Sequence, residues 1–168
     1  MILDKSYFAK SAIELAPDLL GKILCRRVGD KVLRARITET ECYFGEEDTA
    51  CHAHRGKTPR TEVMYEEGGV SYVYLCYGMH AMLNIVTGAK EHPEAVLIRG
   101  VEGLKGPGRL TKGMTITTSD NRLPLEPESG LWLEDDGTRS PEFIATARVG
   151  IDYASPEDRA RLWRYVVR

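Results

Sequence analysis

The stretch Lys31-Val32-Leu33-Arg34-Ala35-Arg36-Ile37-Thr38-Glu39-Thr40-Glu41-Cys42-Tyr43 decides how the rest of the chain is read. Before it stand Gly29-Asp30 and the run Lys22–Val28. A glycine–aspartate pair between two apolar-alternating runs is a hairpin signal, since glycine enters the positive-φ region of a tight turn without steric cost. Side chains alternate across a strand, so a regular period of two predicts Leu33, Ala35, Ile37, Glu39, Glu41 and Tyr43 on one face. Val32, Arg34, Arg36, Thr38 and Thr40 then fall on the other. Two carboxylates follow three apolar residues on the side expected to be buried, where an unpartnered charge is costly. Two arrangements fit: carboxylates paired with basic neighbours near the strand end, or a carboxylate held at the mouth of a pocket.

Working outward, the opening is helix-prone through about Leu20, with breaks at Pro17 and Gly21. A polar loop covers Gly45 to Pro59. Gly69–Tyr77 and Ala81–Thr87 read as strands of a second hairpin, with Tyr77-Gly78-Met79-His80 at or near its tip. Glu94–Val101 is a further strand and Gly130–Glu134 a short one, while Gly103–Gly113 is glycine-rich and basic. Ser155-Pro156 opens a last helix with an N-cap and a first-turn proline. Strands in the middle and helices at the ends predict an α+β fold. It is expected to be one compact domain over residues 1–168, a curved, mostly antiparallel sheet with flanking helices and a protruding hairpin.

The 168 residues suffice for a core without metal or disulfide staples. No apolar run approaches the roughly 20 residues that span a membrane, and Met1-Ile2-Leu3-Asp4-Lys5 lacks a signal-peptide start. The expected location is the cytoplasm, and Cys25, Cys42, Cys51 and Cys76 are expected as free thiols. A net charge of −2 argues mildly against nucleic acid, but local placement of cations matters more. Basic residues do cluster, at Arg55–Arg60, Lys105–Lys112 and Arg159–Arg168 among other places.

Cys42, Cys51, His52 and His54 are possible metal ligands, yet their spacing matches neither C-x-x-C nor H-E-x-x-H. Gly103–Gly108 contains Lys105 but lacks the G-K-[ST] ending of a phosphate loop. Tyr77 is more suggestive, because an aromatic at a hairpin tip is hard to bury in its own domain. One use for it is a wedge between bases, entering from the minor groove and unstacking the duplex.

Ile37 to Tyr43, Thr58-Pro59-Arg60, Tyr72-Val73-Tyr74-Leu75-Cys76-Tyr77-Gly78-Met79, Asn84-Ile85, Val96-Leu97-Ile98-Arg99, Gly106-Pro107-Gly108-Arg109-Leu110 and Ala147-Arg148-Val149-Gly150 occur in a distinctive order and spacing. In these blocks the chain resembles the alkyladenine DNA glycosylases, also called methylpurine-DNA glycosylases, over nearly its whole length. The resemblance implies that Glu41 activates the attacking water and that Arg99 helps hold water and carboxylate. It implies a stack for the flipped base between Tyr43, His52 and Tyr74, with Asn84 on the pocket floor rejecting guanine. Tyr77 would fill the gap left by the extruded nucleotide. It further implies a monofunctional enzyme of base excision repair, without metal or redox cofactor, working on damaged double-stranded DNA and leaving an abasic site. A monomer is expected because no heptad pattern argues for assembly. Departures from the family pattern are His80, where an aromatic is usual, a very short Val101–Gly106 segment and a slightly longer Thr87–Glu94 turn. Two other functions compete: a non-catalytic binder of distorted DNA, which would need neither Glu41 nor Arg99, and an RNA-binding module.

Overall fold

The structure, a computed structural model, describes residues 1–168. The N-terminal region forms two short helices, α1 (Lys5–Phe8) and α2 (Ala12–Asp18), with Asp4 and Ser11 accepting backbone N–H bonds as their caps. Pro17, expected as a break, lies inside α2 in its last turn. Strands β1 (Ile23–Val28) and β2 (Lys31–Phe44) form the first hairpin, and β3 (Ser71–Cys76) and β4 (His80–Val86) the second. Next come β5 (Glu94–Val101), the two-residue β6 (Leu104–Lys105), helix α3 (Pro107–Gly113) and β7 (Leu131–Glu134). The chain closes with β8 (Phe143–Thr146), helix α4 (Pro156–Ala160) capped by Ser155, and β9 (Arg164–Val167).

All nine strands join one sheet; six run in the order β3-β4-β5-β2-β1-β7, β6 pairs with β5, β8 joins through β9 to β2, and every pairing is antiparallel. The α+β expectation holds. The ends differ from it: the chain finishes in a strand, β9, paired with Glu39–Glu41 of β2. Three elements escape a reading by local pattern, namely β8, β9 and α3. The first two are short edge pieces whose partners lie far away in sequence, and α3 hides behind its glycines.

The main core packs α1, α2 and α3 residues such as Phe8, Leu15, Leu19 and Leu110 against one face of the sheet, where Val73, Leu83, Ile85, Val96 and Ile98 project. A smaller cluster around Val63, Met64, Tyr65 and Tyr72 lies elsewhere. These two clusters correct the alternation expected for β2. Leu33, Ala35 and Ile37 pack into the main core, but so do Cys42 and Phe44, and Thr40 donates its hydroxyl to the Ala16 carbonyl at 2.6 Å. The register of β2 against β5 breaks between Ile37 and Thr40. An irregularity there changes the phase of both strands, because a one-residue slip in a period of two sends each later side chain to the opposite face. Glu39, Glu41 and Tyr43 therefore leave the face of Leu33, Ala35 and Ile37.

Candidate active site

That change of phase builds the site. Beyond the break, Tyr43 of β2 and Ala95, Leu97 and Arg99 of β5 line a cavity of about 920 Å³. β3 and β4 contribute Tyr72, Tyr74, Met82 and Asn84 from the same side. The cavity also reaches His52 in a short 3-10 turn, Tyr77 at the hairpin tip, α3 and the Val149-Gly150 segment.

Glu41 lies behind this lining and is fully buried. Its Oε1 accepts the Tyr43 hydroxyl at 2.8 Å, and its Oε2 accepts the Val149 backbone N–H at 2.7 Å. Arg99 Nη1 stands 3.8 Å from Oε1. Burial pushes the Glu41 carboxyl above its usual range, and Arg99, the Val149 N–H and the Tyr43 hydroxyl offset only part of that. Glu39 is held differently. Burial pushes it up as well, but one of its oxygens accepts from both Arg164 Nε (2.8 Å) and Arg99 Nε (2.9 Å), and the pair brings it below the ordinary carboxylate range. One carboxylate is thus locked into an ion-pair network, while its neighbour is buried with one hydrogen-bond donor on each oxygen and a raised pKa.

The aromatic walls are ordered by contacts with one another. His52 packs against Tyr74 with ring centroids 4.6 Å apart, and Tyr72 and Tyr74 lie 5.2 Å apart. His52 Nδ1 is 2.9 Å from the Tyr72 hydroxyl. Burial, helped by nearby Arg60, lowers the His52 pKa to about 4, so its ring is neutral at physiological pH. Asn84 is buried beneath, with Nδ2 donating to the carbonyls of Tyr72 at 3.2 Å and Met82 at 3.4 Å. Tyr77 is 92% exposed in the left-handed backbone region (φ 53°), followed by Gly78 at φ 66°. The Met79 N–H donates to the Cys76 carbonyl across this turn at 3.1 Å. Of the seven residues singled out in the sequence, six line one cavity and Glu41 backs it.

The possible metal ligands part company. Cys42 faces the main core, Cys51 sits in the second cluster, and His54 is exposed with Nδ1 on the Glu46 carbonyl.

Sequence reading missed several participants. Val149 supplies the backbone donor to Glu41, which no side-chain pattern reveals. Arg148, fully buried, forms an ion pair with buried Asp48 at 2.6 Å, donates to the Cys42 carbonyl, and packs 5.1 Å over the Tyr43 ring. Tyr153 and Arg60 also line the cavity, the latter 5.0 Å over the Tyr74 ring.

A family model described as methylpurine-DNA glycosylase matches residues 6–106 and 102–168, together nearly the whole chain. The chain belongs to the methylpurine-DNA glycosylase family. A relative from Psychrobacter cryohalolentis is 46% identical, covering 98% of this chain and 91% of its own length. One from Borrelia garinii subsp. bavariensis is 40% identical over 99% of this chain and 96% of its own. An archaeal relative from Methanocella arvoryzae is 38% identical over 98% and 91%. All three are provisionally named 3-methyladenine DNA glycosylase. Near-complete coverage on both sides means that this member of the family spans the length of its relatives.

Proposed function

We propose that this DNA N-glycosylase excises alkylated or deaminated purines from duplex DNA, with Glu41 activating the water that attacks the anomeric carbon. The observation that carries this reading is the setting of Glu41. It is a buried carboxylate with fixed donors on both oxygens, behind an aromatic cavity large enough for a purine, with Arg99 Nη1 3.8 Å away. A separation of that size suits a shared water better than a direct bond. A base must leave the stack to be acted upon, and a damaged or mismatched one costs least to extrude. The flipped purine stacks among Tyr43, His52 and Tyr74, Asn84 crowds the exocyclic amine of guanine, and Tyr77 fills the gap in a duplex approached from its minor groove. Water then gives its proton to Glu41 and its oxygen to the anomeric carbon, while the C–N bond breaks and its electron pair leaves with the base. An abasic site remains and the strand stays intact.

General-base activation contributes about 10²–10⁴ in rate, so the positioning of water by Glu41 and Arg99 must supply much of the rest. The substrates are 3-methyladenine, 7-methylguanine, hypoxanthine and etheno-adenine in duplex DNA, and the enzyme acts as a monomer. The test is base release from an alkylated duplex and a hypoxanthine duplex by wild type and Glu41→Gln, with alkali revealing abasic sites. Release by wild type alone supports the mechanism. Turnover by Glu41→Gln would remove Glu41 from its role, and specific binding without release by wild type would leave a damage-binding protein.

A further inference from the structure

Aromatic walls attract a cationic, alkylated base through their π faces, yet the charges around this cavity point the other way. Its lining includes no Asp or Glu, but Arg60, Arg99, Arg109 and Lys112 all contribute. Arg99 is engaged by Glu39 and by the nearby Glu41, whereas Arg60, Arg109 and Lys112 have no carboxylate partner. Among these three, Arg60 stands at the stacking walls. Its guanidinium lies 5.0 Å over the Tyr74 ring, and its charge reaches both His52 and the Tyr72 hydroxyl.

Building on the glycosylase reading, we propose that Arg60 is a specificity-determining residue that favours neutral deaminated purines such as hypoxanthine over cationic alkylated purines. Two physical effects act in the same direction. An arginine already on the Tyr74 ring makes that π cloud a poorer partner for a second cation, and the guanidinium opposes a positively charged base directly. For a neutral lesion the signs reverse. As the glycosidic bond breaks, a neutral base leaves with net negative charge that a fixed cation stabilises, whereas a cationic base leaves neutral. The 6-oxo acceptors, which hypoxanthine and 7-methylguanine share, do not enter the comparison. Neutral His52, also at the wall, neither adds charge repulsion nor competes for this role. Arg60 contacts the base rather than the backbone, while Arg109 and Lys112, both on α3, are the residues left for phosphates.

The experiment is single-turnover release of hypoxanthine and of 7-methylguanine from otherwise identical duplexes by wild type, Arg60→Gln and Arg60→Lys. The ratio of the two rates within one preparation is independent of how much protein is folded. Arg60→Gln should lower the hypoxanthine-to-7-methylguanine ratio by about fivefold, the size of an exposed charge contact, and Arg60→Lys should recover part of it. The salt dependence of duplex binding should be unchanged in Arg60→Gln, whereas loss of a phosphate contact would reduce the log–log slope by about one. An unchanged ratio, a reduced salt slope with both rates falling together, or a wild type that releases 7-methylguanine alone would each overturn the role of Arg60. Release of neither base by wild type would instead overturn the glycosylase reading, and this inference with it.

Discussion

At the residue scale, Glu41 is the group for which function and stability conflict. Its pKa is raised by burial, so the ionised form that the proposed general-base role requires is the form the fold disfavours. A raised folded-state pKa contributes stability below the unfolded value, and that contribution is lost as pH rises through the folded one. Glu41→Gln removes the loss. A glutamine can accept from the Val149 N–H through its oxygen and donate to the Tyr43 hydroxyl through its amide, so both existing contacts have a replacement. The variant should release no base yet melt above wild type at neutral pH, with the gain vanishing in acid; thermal melts at both pH values check this. In wild type, the acid limb of the rate profile should fall above the ordinary glutamate value of about 4.3. Tyr77 makes the opposite case, an exposed ring that stabilises nothing in its own domain. Tyr77→Ala should weaken damaged-duplex binding by about 1–3 kcal/mol, as expected for a lost stack. Tyr77→Gly should bind as weakly while melting no lower, because glycine fits the positive φ that tyrosine occupies under strain. Equal binding by wild type and both variants would remove the wedge.

At the element scale, the break in β2 and the Ala147–Gly150 segment set the geometry of the site together. The break sends Glu41 and Tyr43 away from the helices, and Arg148 then fixes the segment whose Val149 N–H reaches Glu41. Arg148 and Asp48 are both buried, joined by two hydrogen bonds, and Arg148 lies over the Tyr43 and Trp163 rings. Removing one partner of such a pair leaves the other charged and unmatched, at a cost of about 3–5 kcal/mol. Asp48→Asn should show that loss as a lowered urea midpoint. It should also depress base release beyond what the unfolded fraction explains, because the donor to Glu41 shifts with Arg148. A small stability loss with full activity would mean that the segment is held by other contacts.

At the scale of the whole molecule, a net charge of −2 coexists with a cavity lined only by cations among its charged residues. Association with a polyanion depends on this local field rather than on the total. Duplex binding should therefore fall with salt, and Arg109→Gln combined with Lys112→Gln should reduce the log–log slope by about two. A slope unaffected by the pair would place the phosphate contacts elsewhere. No helix is long and apolar enough to cross a membrane.

How much of this was legible in the sequence follows from the range of the forces involved. Both hairpins, β5, the cap of α4 and the α+β class are set by neighbours within a few residues, through turn chemistry, alternation and capping, and the sequence alone determined them. Resemblance to the methylpurine-DNA glycosylases, rather than any local pattern, brought Glu41, Arg99, Tyr43, His52, Tyr74, Asn84 and Tyr77 forward as one group. Alternation failed at Ile37–Thr40, because the register of a strand is fixed by its partner, here β5, some 60 positions away for the Arg99–Glu39 pair. The same holds for β9, for the Asp48–Arg148 pair 100 residues apart, and for Arg60 over Tyr74. Those are contacts between distant segments, made only when the chain buries its core. Tertiary structure alone therefore decided how each carboxylate is held, Glu41 buried behind the cavity and Glu39 between two arginines, and which cation came to stand at the wall of the cavity.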